Sequence, residues 1–278
     1  MAEPSALLRE SGDAALLRES GDAALLREAG NAALLRAVGL TRRFGGLTAV
    51  NEVSLDLHVG EVHAVIGTNG AGKSTLINML SGEMPASSGR IKLDGHDIGA
   101  WSQPKRARAG IGRSYQRTTI FPSFSVLENC RLSAQAALPR AWAVWQSAQR
   151  CARSLEAAHA ALASAGLTTD AERPAGLLSH GGQRQLEIAM CLATNPRVLL
   201  LDEPLAGMGA EETGRMLALL GELKRRHAVL LVEHDMDAVF RIADRITVMV
   251  NGSVIASDVP QRIRSNHDVQ VAYLGEGH

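Results

Sequence analysis

Residues 61–80 read EVHAVIGTNGAGKSTLINML, and this stretch decides the fold. Glu61–Ile66 is a short apolar run of strand length. Gly67–Ser74 fits G-x-x-x-x-G-K-[ST], and Lys73–Leu80 reads as a helix. Strand, glycine-rich loop and helix in that order make a phosphate loop. Its glycines let successive backbone N–H groups turn inward as a nest for phosphate oxygens. The helix behind it adds its N-terminal dipole. In such a loop Lys73 reaches the β- and γ-phosphates, and the Ser74 hydroxyl ligates Mg²⁺. The candidate nucleotide-binding residues are Gly67, Thr68, Asn69, Gly70, Ala71, Gly72, Lys73, Ser74 and Thr75.

Outward from the loop the pattern is mixed α/β. Val198–Leu201 (VLLL) and Ala228–Val232 (AVLLV) are continuous apolar runs, as expected of strands covered on both faces of a parallel sheet. Two acids end the first run. Asp202, at the carboxyl end of that strand, suits a contact to Mg²⁺, and Glu203 is the candidate general base that takes a proton from attacking water. Ile246–Val250 and Val254–Ile255, separated by Asn251-Gly252, read as a late hairpin. LLRAVGLTRRFGG (34–46) reads as the opening strand of a domain running from Ala32 to the C-terminus. Between about Ser125 and Ala165 the chain is Ala-rich, with no strand signal, and is expected to form an inserted helical subdomain reaching to about residue 180. Trp142, Trp145, Ala148, Ala152 and Leu155 share one helical face and are expected to pack as core.

The 278 residues carry 29 basic and 29 acidic side chains. Zero net charge argues against a protein that coats nucleic acid, and nine aromatics are too few for a single-strand stacking platform. Cys130, Cys151 and Cys191 are odd in number and lack metal-ligand spacing, which suggests a reducing compartment. No apolar run approaches the roughly 18 residues of a membrane span. The first forty residues read as nine-residue copies (SALLRESGD, AALLRESGD, AALLREAGN, then AALLRAVGL, which runs into the opening strand), and residues 1–31 are expected to form a mobile or loosely helical extension. Trp101–Arg153 holds nine Lys/Arg against Glu128 alone, a local balance of +8 that the rest of the chain offsets. That region is either a solvated face or a surface meeting acidic groups.

With the segments that follow, the chain from Ala32 onward resembles the ATP-binding subunits of ATP-binding cassette (ABC) transporters. Leu178–Gln185 (LSHGGQRQ) is similar to the family signature, usually LSGGQ. Downstream Ile188-Ala189, Pro196 and Asp202 keep family spacing only without a gap. His180 therefore stands for the first signature Gly, Gly181 is the second, and Gly182 replaces the Gln. The resemblance implies that Ser179, His180, Gly181 and Gly182 complete the ATP site of the opposite subunit, with Ser179 and Gly181 as γ-phosphate contacts in trans. It implies that Phe44 stacks on adenine. It makes Gln116 the glutamine that touches Mg²⁺ or water and relays to the membrane partner, and His234 the switch histidine at the γ-phosphate. In Ala206–Gly209 the last residue replaces an Asp that normally crosses the dimer interface. The implied fold is a P-loop ABC ATPase core with a mostly parallel sheet, an N-terminal antiparallel β part and an inserted helical subdomain.

RRFGGLTAVNEVSL, RARAGIGRSYQ, IFPSFSVLEN, QLEIAMCLATNP, DEPLAGMGAEET and the terminal VAYLGEGH resemble one subgroup. These are ATPases of bacterial importers for branched-chain and other hydrophobic amino acids, with urea importers closely similar. Lipopolysaccharide-extracting ATPases share the YLGE tail. The resemblance implies ATP and Mg²⁺ as cofactors, transmembrane permease subunits and a second ABC ATPase subunit as partners, and a periplasmic or extracellular solute-binding protein acting indirectly. It implies no nucleic acid, and a place on the cytoplasmic face of a bacterial inner membrane. The rivals are a soluble ABC ATPase working on ribosomes or DNA, and a small-molecule kinase sharing the phosphate loop. The kinase would not require the signature segment or His234.

Overall fold

The computed structural model describes residues 33–116, 119–138 and 151–274. A compact unit starts at Leu34. Its strands in chain order are β1 (Leu35–Phe44), β2 (Leu47–Leu57), β3 (Val62–Gly67), β4 (Ser88–Leu93), β5 (His96–Asp97), β6 (Ile111–Arg113), β7 (Val198–Asp202), β8 (Ala228–Val232), β9 (Arg245–Val250) and β10 (Ser253–Asp258). The helices are α1 (Lys73–Ser81), α2 (Gln103–Arg108), α3 (Val126–Ala137), α4 (Ala152–Ser164), α5 (His180–Leu192), α6 (Ala210–Leu223), α7 (Met236–Ile242), α8 (Pro260–Arg264) and α9 (His267–Leu274).

Two sheets result. One is four-stranded and antiparallel, ordered β2-β1-β4-β5. The other is ordered β10-β9-β3-β8-β7-β6, parallel except for β10. Every residue of β3, β7 and β8 is buried, which explains their unbroken apolar runs. Period-two geometry divides them between layers. Val198, Leu200, Leu230 and Val232 join the core shared with α1 and the antiparallel sheet, whereas Leu199, Leu201, Val229 and Leu231 pack with Met216 and Leu220 of α6. The β9–β10 hairpin turns at Asn251 (φ 47°) and Gly252 (φ 82°), the two left-handed residues that an Asn-Gly turn supplies.

The helical part has its own core. Val126, Cys130 and Ala134 of α3, Ala158, Ala161 and Leu162 of α4, and Leu186 and Ala189 of α5 form one cluster, whose small side chains let the helices approach closely. The helical face expected to reach Ala152 and Leu155 is interrupted at Cys151. Cys151 is extended (ψ 93°), α4 starts afresh after it, and Ala152 is exposed. Trp142, Trp145 and Ala148, like the repeats of residues 1–31, lie outside the described residues. No helix among the described residues is long and apolar enough to cross a membrane.

Candidate nucleotide site

β3 delivers Gly67 into the phosphate loop. Gly67 pairs with Met249 of β9, and a β-carbon at Gly67 would lie 2.2 Å from the Met249 carbonyl oxygen. Gly72, the left-handed residue (φ 97°) before α1, is equally constrained: a β-carbon there would lie 2.3 Å from the Ala49 carbonyl oxygen. The hairpin turn closes the back of the loop. The Gly252 amide donates to the Ala71 carbonyl at 3.1 Å and the Asn51 amide to the Gly252 carbonyl at 2.8 Å. Lys73 is buried, its ammonium donating to the carbonyls of Gly67 (2.6 Å) and Thr68 (3.0 Å). Burial pushes the Lys73 pKa down, and the nearby Glu203 and Asp202 oppose that shift. Asn69, Gly70 and Ser74 are exposed, while Thr68 and Thr75 are half-buried.

Three parallel strands end at this loop, each carrying a candidate residue, as open α/β sheets place their ligand sites. β7 ends in Asp202, which is buried, with the Arg113 guanidinium 3.7 Å from its carboxylate. Burial holds the Asp202 pKa above the usual carboxylate range, and the Arg113 guanidinium only partly opposes it. Glu203 follows at φ 49°, a left-handed conformation that costs a non-glycine residue of order 1–3 kcal/mol. The surrounding fold imposes it, for the Glu203 amide donates to the Val232 carbonyl at 2.9 Å. Beyond β6, the Gln116 Nε2 donates to Glu203 Oε2 at 2.9 Å. Beyond β8, His234 Nδ1 lies 3.9 Å from Glu203 Oε1. The structure thus brings Gln116, Asp202, Glu203 and His234 together beside Lys73.

The other candidates sit elsewhere. Phe44 is exposed at the end of β1, with the Arg42 guanidinium 4.6 Å from its ring centroid. Ser179 caps α5, its hydroxyl oxygen accepting from the Gly182 amide at 3.1 Å. Its hydroxyl donates to Glu212 of α6 at 2.8 Å. His180 packs near Gly207, where a β-carbon would lie 3.3 Å from the imidazole. The signature segment is therefore seated on the loop after Glu203.

Sequence reasoning missed three buried charged groups that support these residues. Glu233, fully buried, accepts from the amides of Leu205 (2.8 Å) and His234 (3.2 Å), fixing the loop after Glu203 against His234. Burial raises its pKa, and those two amides counteract it. Arg184 of α5 donates to the carbonyls of Tyr115 (2.9 Å) and Gln116 (2.5 Å) and pairs with Glu187 (2.8 Å), which accepts from the Thr119 amide (2.8 Å). The Gln116 backbone is thereby strapped to the helix that Ser179 caps. The available signal was an acid closing an apolar strand run, and a charged i,i+3 pair amid Leu186, Ile188 and Ala189.

Oxygen donors dominate what this site offers a cation. The Ser74 hydroxyl, the Gln116 amide oxygen and the Asp202 carboxylate fit Mg²⁺, which is bound by one or two carboxylates together with substrate phosphates. Among the described residues no cluster of three or more His, Cys, Asp and Glu forms an all-protein metal cage.

A parallel sheet with a phosphate loop after β3, paired acids closing β7 and a helical subdomain carrying a capped signature turn defines the ATP-binding cassette class of P-loop ATPases. The chain belongs to the ABC transporter family. The family description "ABC transporter" matches residues 50–206, and "Branched-chain amino acid ATP-binding cassette transporter" matches residues 253–278. The chain is 42% identical over 248 residues to the high-affinity branched-chain amino acid transport ATP-binding protein BraF of Pseudomonas aeruginosa, covering 86% of this chain and 96% of BraF. It is 40% identical over 245 residues to LivG of Escherichia coli, of the same description, with the same coverage. Among solved structures, the ADP conformation of an ATP-binding cassette superposes with a TM-score of 0.77 at 29% identity, covering 88% of this chain and all of that one. The enzyme activity is that of the family, ATP hydrolysis.

Proposed function

We propose that this chain is the ATP-hydrolysing subunit of a membrane importer for branched-chain or other hydrophobic amino acids. The observation that carries the solute class is the match of residues 253–278 to a C-terminal segment described for branched-chain amino acid cassettes. The names of BraF and LivG support it.

Two cassettes, identical or paralogous, form a sandwich around two ATP molecules. Phe44 stacks on adenine, and the loop Gly67–Thr75 cradles the phosphates with Lys73 on the β- and γ-positions. Glu203 takes the proton of the attacking water. Gln116, bonded to Glu203, senses the γ-phosphate side of the site, and His234 contacts that phosphate. Ser74, Gln116 and Asp202 hold Mg²⁺, which when bound neutralises charge on the phosphate oxygens. The Ser179 loop of the opposite subunit closes the site, so that the γ-phosphate is held from both sides and hydrolysis removes the bridge. The assembly sits on the cytoplasmic face of the membrane, with permease subunits supplying the span and a solute-binding protein supplying the cargo.

The test is to extract membranes, purify this chain with whatever polytopic permease accompanies it, and measure ATPase activity with candidate solutes. Stimulation by leucine, isoleucine or valine supports the proposal. Stimulation by urea alone, association with lipopolysaccharide machinery, or recovery without any permease overturns it.

A further inference from the structure

The carboxylate of Glu212 lies between two helix N-termini. It belongs to the first turn of α6, which starts at Gly209 with no capping side chain, and it receives the hydroxyl of Ser179, the cap of α5, at 2.8 Å. It is packed onto the α5 backbone as well: a β-carbon at Gly181 would lie 2.7 Å from the Glu212 carboxyl carbon. The Ser179 hydroxyl first, then the backbones of Gly181 and Gly209, hold this carboxyl below the usual carboxylate range. A side chain at 181 would have to push this carboxylate aside, so the close approach uses the space that glycine leaves.

Proton counting gives this contact a consequence. Ser179 has one hydroxyl proton, which goes to Glu212, and its oxygen already accepts from the Gly182 amide. A phosphate oxygen arriving at Ser179 needs that same proton, and it meets a helix N-terminus whose partial positive charge a carboxylate already faces. Two anions compete for one donor set. We propose that Glu212 is an internal counter-anion of the signature loop, satisfying it in the separate subunit and yielding to the γ-phosphate of the partner subunit's ATP when the sandwich closes. The inference rests on the in-trans role of Ser179 given above. Glu212 touches no reacting atom and acts through Ser179. ADP, which lacks the γ-phosphate, leaves the carboxylate in place.

The test compares wild type with Glu212→Gln, Glu212→Ala and Ser179→Ala in the complex purified from membranes through a tag on this chain. ATPase rate is followed against ATP concentration. Both Glu212 variants should lower the half-saturating ATP concentration by about two- to fivefold, the worth of one anion at a helix N-terminus, without raising kcat. A residue serving only as a helix cap would instead lower kcat or leave the half-saturation unmoved, and that result overturns the proposal. If Glu212→Ala unfolds, the isosteric Glu212→Gln decides. Ser179→Ala should raise the half-saturating concentration. Impairment by Ser179→Ala without any gain from the Glu212 variants sinks the counter-anion alone. No effect of Ser179→Ala removes the sandwich reading, and the counter-anion with it.

Discussion

Gln116 and Glu203 are joined by a 2.9 Å hydrogen bond between residues far apart in the chain, one following the edge strand β6 and the other following β7. The donor amide holds the candidate base in an orientation that its left-handed backbone has already narrowed. Replacing the carboxylate by an amide keeps the shape and removes the proton acceptor. Glu203→Gln should lower turnover by ~10²–10⁴, the usual worth of a positioned general base, while ATP is still retained. Steady-state hydrolysis beside a nucleotide-binding measurement checks this. Hydrolysis at the wild-type rate would take the role of base away from Glu203.

Lys73 is already desolvated and hydrogen-bonded to its own loop. Lys73→Ala removes the buried cation facing the phosphates, a charge-assisted hydrogen bond worth roughly 1.5–3 kcal/mol. ATP affinity should fall about 10- to 100-fold by equilibrium titration. An unchanged affinity would count against the loop as the phosphate cradle.

The Arg184–Glu187 pair is buried and strapped to the Gln116 backbone. Arg184→Leu leaves the Glu187 carboxylate without its cation and two carbonyls without their donor, and should cost about 3–5 kcal/mol in urea unfolding. Adding Glu187→Leu should recover part of that loss, because the uncompensated charge is then gone. A single variant as stable as wild type would show that the pair does not anchor the segment.

His63 sits inside β3 with both ring nitrogens used. Its Nδ1 must donate to the Asp56 carbonyl (3.0 Å), which leaves Nε2 to accept from the Thr247 hydroxyl (2.8 Å). Burial pushes its pKa down from the ordinary 6.5 to about 4. A depressed pKa means the stabilisation is complete above pH 6.5 and fades as the pH falls toward 4. Between pH 7 and pH 5 this one group should cost the fold about 2 kcal/mol. His63→Gln should flatten the pH dependence of thermal unfolding in that window by this amount. A slope identical to wild type would refute it.

The sheet core was legible because burial on both faces forces unbroken apolar runs, and the phosphate loop because backbone clearance forces glycine at fixed spacing. Glu203 and Asp202 were legible because acids ending such a run stand out. Glu233 ends the β8 run in the same way, but it stands beside His234, and an acid next to a histidine has no pattern of its own that separates a buried brace from a solvated strand end. Arg184, Glu187 and Glu212 were opaque for another reason. A charged residue on an amphipathic helix looks the same whether it meets solvent or a backbone carbonyl from another element. Only tertiary placement separates these cases. Ala152 fell off the expected buried face because helical phase was carried through Cys151, a residue whose extended backbone resets it.

The turn at Asn251-Gly252 also has a bearing on synthesis. The phosphate loop emerges early, but the groups that brace it from behind, the Met249 carbonyl beside Gly67 and the Gly252 amide on Ala71, are among the last of the domain to leave the ribosome. A growing chain can make the strand and the glycines long before it can hold them in shape. A product ending before the hairpin therefore carries the whole phosphate-loop sequence without these two contacts, and should bind nucleotide more weakly than the full chain.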